Sequence, residues 1–333
     1  MKIAFIGYKN HAKRLMSVFS ELGDCQEILV YYPDFQKLSS NFSDDGISCR
    51  VQLTSSIEDL FEANAIVIAS PTHTHWEYLK LILNKFQGYI FCEKPPCKNL
   101  KELELFSALE DSNKSRIYFN FNYRSSLFSK ICRSAIESEE YGVPISLSFS
   151  SCHGLAFKSS FSKNWRNNSE DILENVIGNV GIHYVDLAFH LLGNERGASF
   201  SAMKVSGYTK YSDSALITIT SQRGLPTTIL LSYASPFHNT AAFVFSDAII
   251  ELINGAITLK TPRESFDQDG FFAPPSEKLL KTFSSSREYY NDAIKGSVLS
   301  FFKVVKNSKK FPLKDYLCSL DSTRALLMIE NNE

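Results

Sequence analysis

The chain has 333 residues, of which 44% are hydrophobic and 21% are charged, and its formal net charge at pH 7 is -1. These values are typical of a globular protein and exclude a fibrous chain or one too polar to fold. The balanced charge also excludes the strongly basic surface that binds nucleic acid or an anionic membrane. A chain of this length is expected to form two domains.

The start of the chain and its cysteines indicate the cellular compartment. The first apolar stretch, Ile3 to Ile6, stops at Gly7 and is too short for a signal peptide or a membrane span. Seven cysteines occur, an odd number, with no Cys-x-x-Cys motif. We therefore expect thiols rather than disulfides, and a cytoplasmic protein.

Short apolar segments alternate with segments of helical periodicity in residues 1–120. These apolar segments are rich in β-branched and aromatic residues, and Trp76 to Lys85 is typical of the helices between them. The predicted strands are Ile3 to Ile6, Ile28 to Tyr32, Ile66 to Ala69, Tyr89 to Cys92 and Ile117 to Phe121. The pattern predicts an α/β domain with a doubly wound parallel sheet.

The pattern changes in residues 121–333 to longer strands with alternating polarity. The predicted strands are Ile145 to Ser151, Ser214 to Thr220, Thr227 to Ala234 and Ala248 to Leu252. Two predicted helices, Phe128 to Ser138 and Val180 to Leu192, are expected to cover one face of the resulting sheet. This half is therefore predicted to be an α+β domain with a mainly antiparallel sheet.

Two separated motifs carry side chains suited to proton transfer. Glu93-Lys94-Pro95 follows a predicted strand, where an open α/β sheet delivers side chains to its ligand crevice. Far downstream, His183 and Asp186 are three residues apart and share one face of a predicted helix. A lysine and an imidazole are the groups that can steady an alkoxide and exchange its proton.

Six segments occur in the order found in one family of oxidoreductases. They are Lys2 to Leu15, Ala65 to His75, Glu93-Lys94-Pro95, Asn122-Tyr123-Arg124, Trp165-Arg166 and Gly181 to Asp186. Over nearly its whole length the chain therefore resembles the glucose-fructose oxidoreductase and myo-inositol dehydrogenase family, Gfo/Idh/MocA. The resemblance implies an N-terminal Rossmann domain that binds NAD or NADP, and a C-terminal domain, 121–333, that binds a sugar-type substrate. It also implies a homo-oligomer, a dimer or tetramer formed through the C-terminal sheet.

The candidate cofactor loop is Gly7-Tyr8-Lys9-Asn10-His11-Ala12. Gly7 provides the tight turn and Ala12 the close helix packing that a dinucleotide loop needs, but Lys9 stands where a second glycine is usual. Asp34 follows the second strand and either binds a ribose hydroxyl or caps the next turn. The choice between NAD and NADP stays open. The resemblance adds further cofactor contacts at Ser70, Pro71, Thr72, His75, Glu93 and Lys94.

The resemblance assigns the chemical step to Lys94 and His183. Lys94 would supply positive charge beside the reacting oxygen, and His183 would exchange its proton near neutral pH. Asn179 stands where the family most often has aspartate. Asp186 either orients the helix start or the His183 ring, or is a purely structural cap. The predicted substrate contacts are Tyr123, Arg124, Trp165, Arg166, Asn179 and His183.

Our interpretation is an NAD(P)-dependent oxidoreductase acting on a hydroxyl or keto group of a sugar, sugar derivative or nucleotide sugar. One alternative is a non-catalytic dinucleotide- or sugar-binding protein of the same fold, favoured by Lys9 and Asn179. Another is a metal-dependent lyase or hydrolase that uses His183 and His190. The family pattern explains His183 and Asp186 without a metal, so no metal site is predicted.

Overall fold

The computed structural model describes residues 1–22, 24–161 and 175–330, with the backbone alone for 329 and 330. These residues pack into two compact units. The first holds 1–122 and 294–323, and the second holds the described residues of 123–293 and 324–333. No described helix is long and apolar enough to cross a membrane.

The first unit is built on six parallel strands. They are β1 (Lys2–Ile6), β2 (Glu27–Tyr31), β3 (Arg50–Thr54), β4 (Ala65–Ile68), β5 (Tyr89–Cys92) and β6 (Ile117–Phe119). Their order is β3-β2-β1-β4-β5-β6, so the chain changes direction across the sheet between β1 and β4. The strands β1, β4 and β5 are almost wholly buried, as parallel strands covered on both faces require. The predicted doubly wound parallel sheet is confirmed.

Amphipathic helices connect these strands. They are α1 (Asn10–Glu21), α2 (Phe35–Asn41), α3 (His75–Lys85), α4 (Leu100–Ser107) and α5 (Asp111–Lys114). On α1 the buried residues include Leu15 and Phe19, which lie four apart and therefore face the sheet together. Phe19 packs edge-on against Phe5 and Phe91, with ring centroids 5.5 Å apart in each pair. This packing holds α1 against the sheet.

The first unit also contains a late part of the chain, residues 294–323. Two long helices, α8 (Ser286–Lys306) and α9 (Leu313–Glu330), each contribute residues to both units. Phe301 and Phe302 of α8 lie 6.1 and 5.1 Å from the Phe19 ring, and Phe301 lies 5.3 Å from Phe91. Residues 294–323 therefore belong with the parallel sheet because their aromatic side chains complete its core.

The second unit is built on eight strands. They are β7 (Pro144–Cys152), β8 (Glu195–Met203), β9 (Ser214–Ser221), β10 (Pro226–Ser232), β11 (His238–Phe245), β12 (Ile249–Ile253), β13 (Ala256–Thr261) and β14 (Ser276–Thr282). Their order is β14-β13-β12-β11-β7-β10-β9-β8. Neighbouring strands are antiparallel except β7 and β10, which pair in parallel. The predicted mainly antiparallel sheet is confirmed.

Two helical segments accompany this sheet. The first is α6 (Leu127–Ser138), and the second is a π-helical turn, Ile177–Gly181, that continues into α7 (Ile182–Leu192). A Cβ atom at Gly181 would lie 2.8 Å from Leu231 Cδ1 and 3.3 Å from Ile217 Cδ1. Glycine therefore allows the turn to approach β9 and β10 closely, and this approach fixes where α7 begins.

Candidate active site

The candidate phosphate loop leaves β1 at Gly7. This residue has a φ of +112°, and a Cβ atom there would lie 2.7 Å from the Ala69 carbonyl oxygen. The Gly7 amide donates to the Tyr31 carbonyl oxygen at 3.1 Å. The loop therefore passes tightly between the ends of β2 and β4, and only glycine fits there.

The remaining loop residues divide into buried and exposed positions. Tyr8 is buried, with its ring 4.7 Å from that of Tyr32, and Ala12 is buried on α1, whereas Lys9 and Asn10 are exposed. The side chain of the N-cap residue, Lys9, makes no hydrogen bond to the first amides of α1. Because the first amides of a helix lack partners within it, this end suits an anion such as a pyrophosphate.

Asp34 begins α2. Its Oδ1 atom accepts a hydrogen bond from the Lys37 amide at 3.0 Å, which makes it the N-cap residue of that helix. Of the two roles left open by the sequence, capping is the one with a contact in the structure. A contact with the ribose stays a prediction.

His75 joins two of the predicted cofactor-binding turns. Its Nδ1 atom lies 2.9 Å from the Pro95 carbonyl oxygen, and its Nε2 atom lies 3.0 Å from the Ser70 carbonyl oxygen. Complete burial lowers the pKa of His75, although both carbonyl groups act in the opposite direction. Any effect of His75 on the cofactor is therefore transmitted through the backbone of these turns. The Ser70 side chain itself pairs with Thr74, Oγ to Oγ1, at 2.7 Å.

Glu93 and Lys94 follow β5 directly. The Glu93 carboxylate is buried, and its Oε1 atom accepts from Asn120 Nδ2 at 2.6 Å and lies 2.9 Å from His11 Nε2. Burial alone would raise the pKa of Glu93, but the combined effect of His11, Asn120 and Lys94 is larger and opposite, so the pKa is lowered overall. The half-buried Lys94 is thereby presented beside an ionised carboxylate.

His183 lies in the first turn of α7, in the second unit. Its half-buried ring is 5.2 Å from the ring of Tyr123, which also packs against Tyr184 at 5.5 Å. Burial raises the pKa of Tyr123 well above its ordinary value, and the neighbouring tyrosines add to this effect. Tyr123 therefore contributes a neutral aromatic surface next to the imidazole.

Asn179 lies in the π-helical turn, four residues before His183. Its Nδ2 atom donates to the Tyr233 hydroxyl at 2.9 Å. The buried Tyr233 ring stacks on His153, with centroids 4.9 Å apart and an interplanar angle of 25°. π-helical turns are rare overall, and those that do occur are frequently located at functional sites. Here the turn connects the amide at position 179 to an aromatic pair on the sheet.

Asp186 and Arg124 form a buried bidentate ion pair. Arg124 Nε donates to Asp186 Oδ2 at 2.7 Å, and Arg124 Nη2 binds Asp186 Oδ1. Asp186 is 1% exposed. The pair joins α7 to the turn that follows β6, and it fixes the Arg124 guanidinium on one side. It gives Asp186 a partner that neither of its two predicted roles included.

The predicted site residues therefore fall into two groups. The first unit brings together the loop at Gly7, the turns at Ser70 and Glu93-Lys94, and the cap at Asp34; the second brings Tyr123 beside His183 and Arg124 beside Asp186. Trp165 and Arg166 lie outside the described residues. In the described ranges, no cluster of three or more histidine, cysteine, aspartate or glutamate side chains suits a metal ion.

Three further residues shape this region. Asn120 binds Glu93, Tyr233 binds Asn179, and Gly181 sets the distance of the π-helical turn from the sheet. The position of Gly181 within the second motif was a usable signal. Sequence reasoning missed Asn120, which stands in a predicted strand with no feature that distinguishes it from a core residue.

Two family descriptions match the chain. Residues 1–121 match the Gfo/Idh/MocA description "Oxidoreductase family, NAD-binding Rossmann fold", and residues 130–251 match the GFO/IDH/MocA C-terminal domain. Together the two stretches cover well over half of the chain. They include the phosphate loop, the Glu93-Lys94 turn and the His183 helix.

Individual proteins are similar at lower identity. Glucose-6-phosphate 3-dehydrogenase of Bacillus subtilis is 24% identical over 205 residues, which are 58% of this chain and 54% of that protein. The alignment thus spans about half the length of this relative. A levoglucosan dehydrogenase solved with NADH and levoglucosan shares the fold, with a TM-score of 0.80, 14% identity and coverage of 100% of this chain and 98% of that one. UDP-N-acetylglucosamine 3-dehydrogenase of Acidithiobacillus ferrooxidans also shares the fold. Its TM-score is 0.76 at 16% identity, and the match covers 99% of this chain and 96% of that one.

The parallel six-stranded sheet of the first unit agrees with the Rossmann fold that the first match describes. The chain belongs to the Gfo/Idh/MocA family of oxidoreductases.

Proposed function

We propose that this protein is an NAD(P)-dependent oxidoreductase that transfers a hydride between nicotinamide and a hydroxyl or keto group of a sugar, sugar derivative or nucleotide sugar. The observation that carries the proposal is the common edge of the parallel sheet. The Gly7 loop, the Ser70 turn and the Glu93-Lys94 turn all follow the carboxyl ends of neighbouring strands there. Ligands of open α/β sheets bind at this edge, where the strand order reverses.

The residues at this edge fit a dinucleotide. Gly7 keeps the loop close to the strand ends, and the uncapped start of α1 suits the pyrophosphate. The exposed Lys9 and Asn10 are expected to turn their side chains away from the phosphate path. Asp34 would favour the ribose hydroxyl of NAD, whereas Lys9 and Lys37 would favour the additional phosphate of NADP. Both cofactors are therefore tested below.

The proposed chemistry uses Lys94 and His183. Bound nicotinamide supplies the hydride acceptor or donor. Lys94, beside the ionised Glu93, would hold positive charge near the substrate oxygen. His183 would take the hydroxyl proton on oxidation and return it on reduction. Tyr123 would pack beside the imidazole, and Asp186 would act through Arg124.

The substrate class rests on the relatives. Their names specify glucose 6-phosphate, UDP-N-acetylglucosamine and levoglucosan, which are all pyranose compounds. Two of these names place the reaction at carbon 3 of the sugar. We therefore propose a secondary hydroxyl of a pyranose ring as the reacting group. Tyr123, Arg124 and Asn179, with Trp165 and Arg166, stay the proposed substrate contacts.

The proposed assembly is a homo-oligomer formed through the large sheet. Leu216 and Leu230 pair across β9 and β10 and are 41% and 39% exposed, and Ile253 on the same face is 49% exposed. An open sheet face with several large apolar side chains is unusual for a monomer. A second copy of this chain is the proposed occupant.

Calorimetric titration with NADH and with NADPH tests the cofactor part of the proposal. At one hundred times the dissociation constant, the preferred dinucleotide should stabilise the fold by about 2.7 kcal/mol, which a thermal shift also detects. Mass spectrometry of small molecules that copurify with the protein gives a second test. Absence of heat and of a thermal shift with both dinucleotides at millimolar concentration would contradict the proposal.

A further inference from the structure

His11 is partly exposed to solvent and also approaches a buried carboxylate. It is the second residue of α1, within the candidate phosphate loop, and its side chain is 39% exposed. Yet its Nε2 atom lies 2.9 Å from Oε1 of Glu93, at the end of β5. The partly exposed ring therefore links the phosphate loop, to which His11 belongs, with the buried carboxylate next to Lys94.

The Glu93 carboxylate begins a buried polar chain. Its Oε1 atom accepts from Asn120 Nδ2 at 2.6 Å, and Asn120 Oδ1 accepts from Ser297 Oγ at 2.7 Å. Ser297 Oγ in turn lies 2.9 Å from the Tyr118 hydroxyl. Asn120 and Ser297 are 2% and 0% exposed, so this arrangement holds the carboxylate rigidly on its inner side. His11 is the contact on the side of the phosphate loop.

Lys94 is coupled to the same carboxylate. The Lys94 amide donates to Glu93 Oε2 at 3.3 Å, and the positive charge of Lys94 contributes to keeping Glu93 ionised. The carboxylate stabilises the ammonium group in return, because the attraction between two opposite charges is mutual. A change in the position or charge of Glu93 therefore reaches Lys94 directly.

We infer that His11 is a positioning residue that fixes the Glu93-Lys94 turn relative to the phosphate loop, so that a dinucleotide on the loop finds Lys94 already in place. This inference rests on the proposed function. Loss of the His11 ring would leave the loop and the turn less firmly connected. The expected consequence is slower turnover, with a smaller effect on dinucleotide affinity, because the amides of α1 remain.

A double-mutant cycle tests the connection. The variants are His11→Ala, Glu93→Gln and the combination, each assayed for dinucleotide affinity, turnover and thermal unfolding without ligand. Each single change is expected to lower kcat about tenfold, the scale of one lost close contact with a charged group. The double variant should be little worse than either single one, because both changes remove the same contact. Additive effects on kcat would overturn the inference.

Two further variants separate positioning from general destabilisation. His11→Gln retains a neutral N–H donor of similar reach and should recover most of the turnover lost in His11→Ala. Ser17→Ala removes a side-chain contact with Glu21 on the exposed side of the same helix and should change nothing. If His11→Ala lowers thermal stability but leaves kcat unchanged below the unfolding temperature, the contact is only structural and the inference is wrong.

The pH profile gives an independent readout. The titratable groups around the Glu93 carboxylate are His11 on α1, Cys92 and Lys94 at the end of β5, and His75 on α3. His11 lowers the pKa of Glu93, so in His11→Ala this carboxylate should protonate at higher pH. The acid limb of the pH-rate profile should then move upward. An unmoved limb would contradict the inference, whereas failure of the unaltered protein to bind any dinucleotide would instead refute the proposed function.

Discussion

Asn179 donates a hydrogen bond from its Nδ2 atom to the hydroxyl of Tyr233 at 2.9 Å, across 54 residues of sequence. The family most often has an aspartate at this position of the second motif. A carboxylate at this position could only accept a hydrogen bond from the Tyr233 hydroxyl, whereas the Asn179 amide donates one to it. A carboxylate could not donate the hydrogen bond that the asparagine donates here.

Asn179→Asp should change the pH dependence of turnover. A carboxylate four residues before His183 would favour the protonated imidazole, which a neutral amide does not. The His183-dependent limb of the pH-rate profile should move to higher pH, by about one unit if the groups lie within hydrogen-bonding reach. Tyr233→Phe, which removes the present partner without adding charge, is the control and should leave the limb in place. A limb unmoved by Asn179→Asp would show that residue 179 does not act on the histidine.

Lys94→Met and His183→Ala should each abolish most of the turnover. Loss of an acid-base or charge-stabilising group typically costs about 100-fold or more in rate. Dinucleotide affinity, measured by calorimetry, should change little, because the Gly7 loop and α1 are untouched. Full activity in both variants would show that Lys94 and His183 have only a structural role.

Asp186→Asn should strongly destabilise the second unit. The substitution leaves the Arg124 guanidinium with an amide in a buried site, and breaking a buried ion pair costs about 3–5 kcal/mol. Glu137→Gln, which breaks the exposed pair between Arg133 and Glu137, is the matched control and should have little effect. Chemical denaturation measures both. Equal stability of the two variants would show that the buried pair contributes no more than a surface one.

His75 should make stability depend on pH in a defined direction. Its pKa in the folded chain is lowered by burial, so in the unfolded chain, where the pKa is about 6.5, the ring binds a proton more readily. The contribution of His75 to the free energy of unfolding is therefore fully present above about pH 6.5. It falls as the pH drops below that value, by at most about 1.4 kcal/mol per pH unit for one proton. His75→Gln should flatten this fall, whereas His73→Gln, at an exposed neighbouring position, should not. Identical slopes in all three proteins would contradict this account of His75.

The combined variant Leu216→Lys, Leu230→Lys should weaken self-association. Lysines on the open sheet face would bring like charges together between two copies. Light scattering after gel filtration should detect smaller particles than for the unaltered protein. Phe272→Lys, at a loop residue that is 91% exposed, is the control and should leave the size unchanged. An unaltered protein that is already monomeric would refute assembly through this face.

Much of the fold was predictable because its strands carry strong local signals. The β-branched and aromatic runs at β1, β2, β4, β5 and β6 gave the parallel sheet within one or two residues at each end. The third strand, Arg50–Thr54, was missed because its residues are mostly polar and only partly buried. Glu195–Met203 was missed for a similar reason, since this edge strand is mostly exposed and rich in small residues.

The site was predictable only where motifs mark it. Lys94 and His183 stand at fixed places in short motifs, and Gly7 stands directly after a strand. The contacts that hold these groups join residues far apart in sequence, such as His11 with Glu93 and Arg124 with Asp186. No local pattern specifies such pairs, just as none placed Phe301 against Phe19. They follow from the packed fold.

The most direct test of the central claim is hydride transfer itself. NAD and NADP are each offered with glucose 6-phosphate, UDP-N-acetylglucosamine, levoglucosan and myo-inositol, and the absorbance of reduced nicotinamide is followed with the unaltered protein and with Lys94→Met. We predict reduction with at least one cofactor and sugar, and its loss in Lys94→Met. The claim would be contradicted if the protein binds the dinucleotide but none of these sugars supports its reduction, and none of the corresponding keto sugars supports oxidation of the reduced form. That result would favour a binding protein of the same fold.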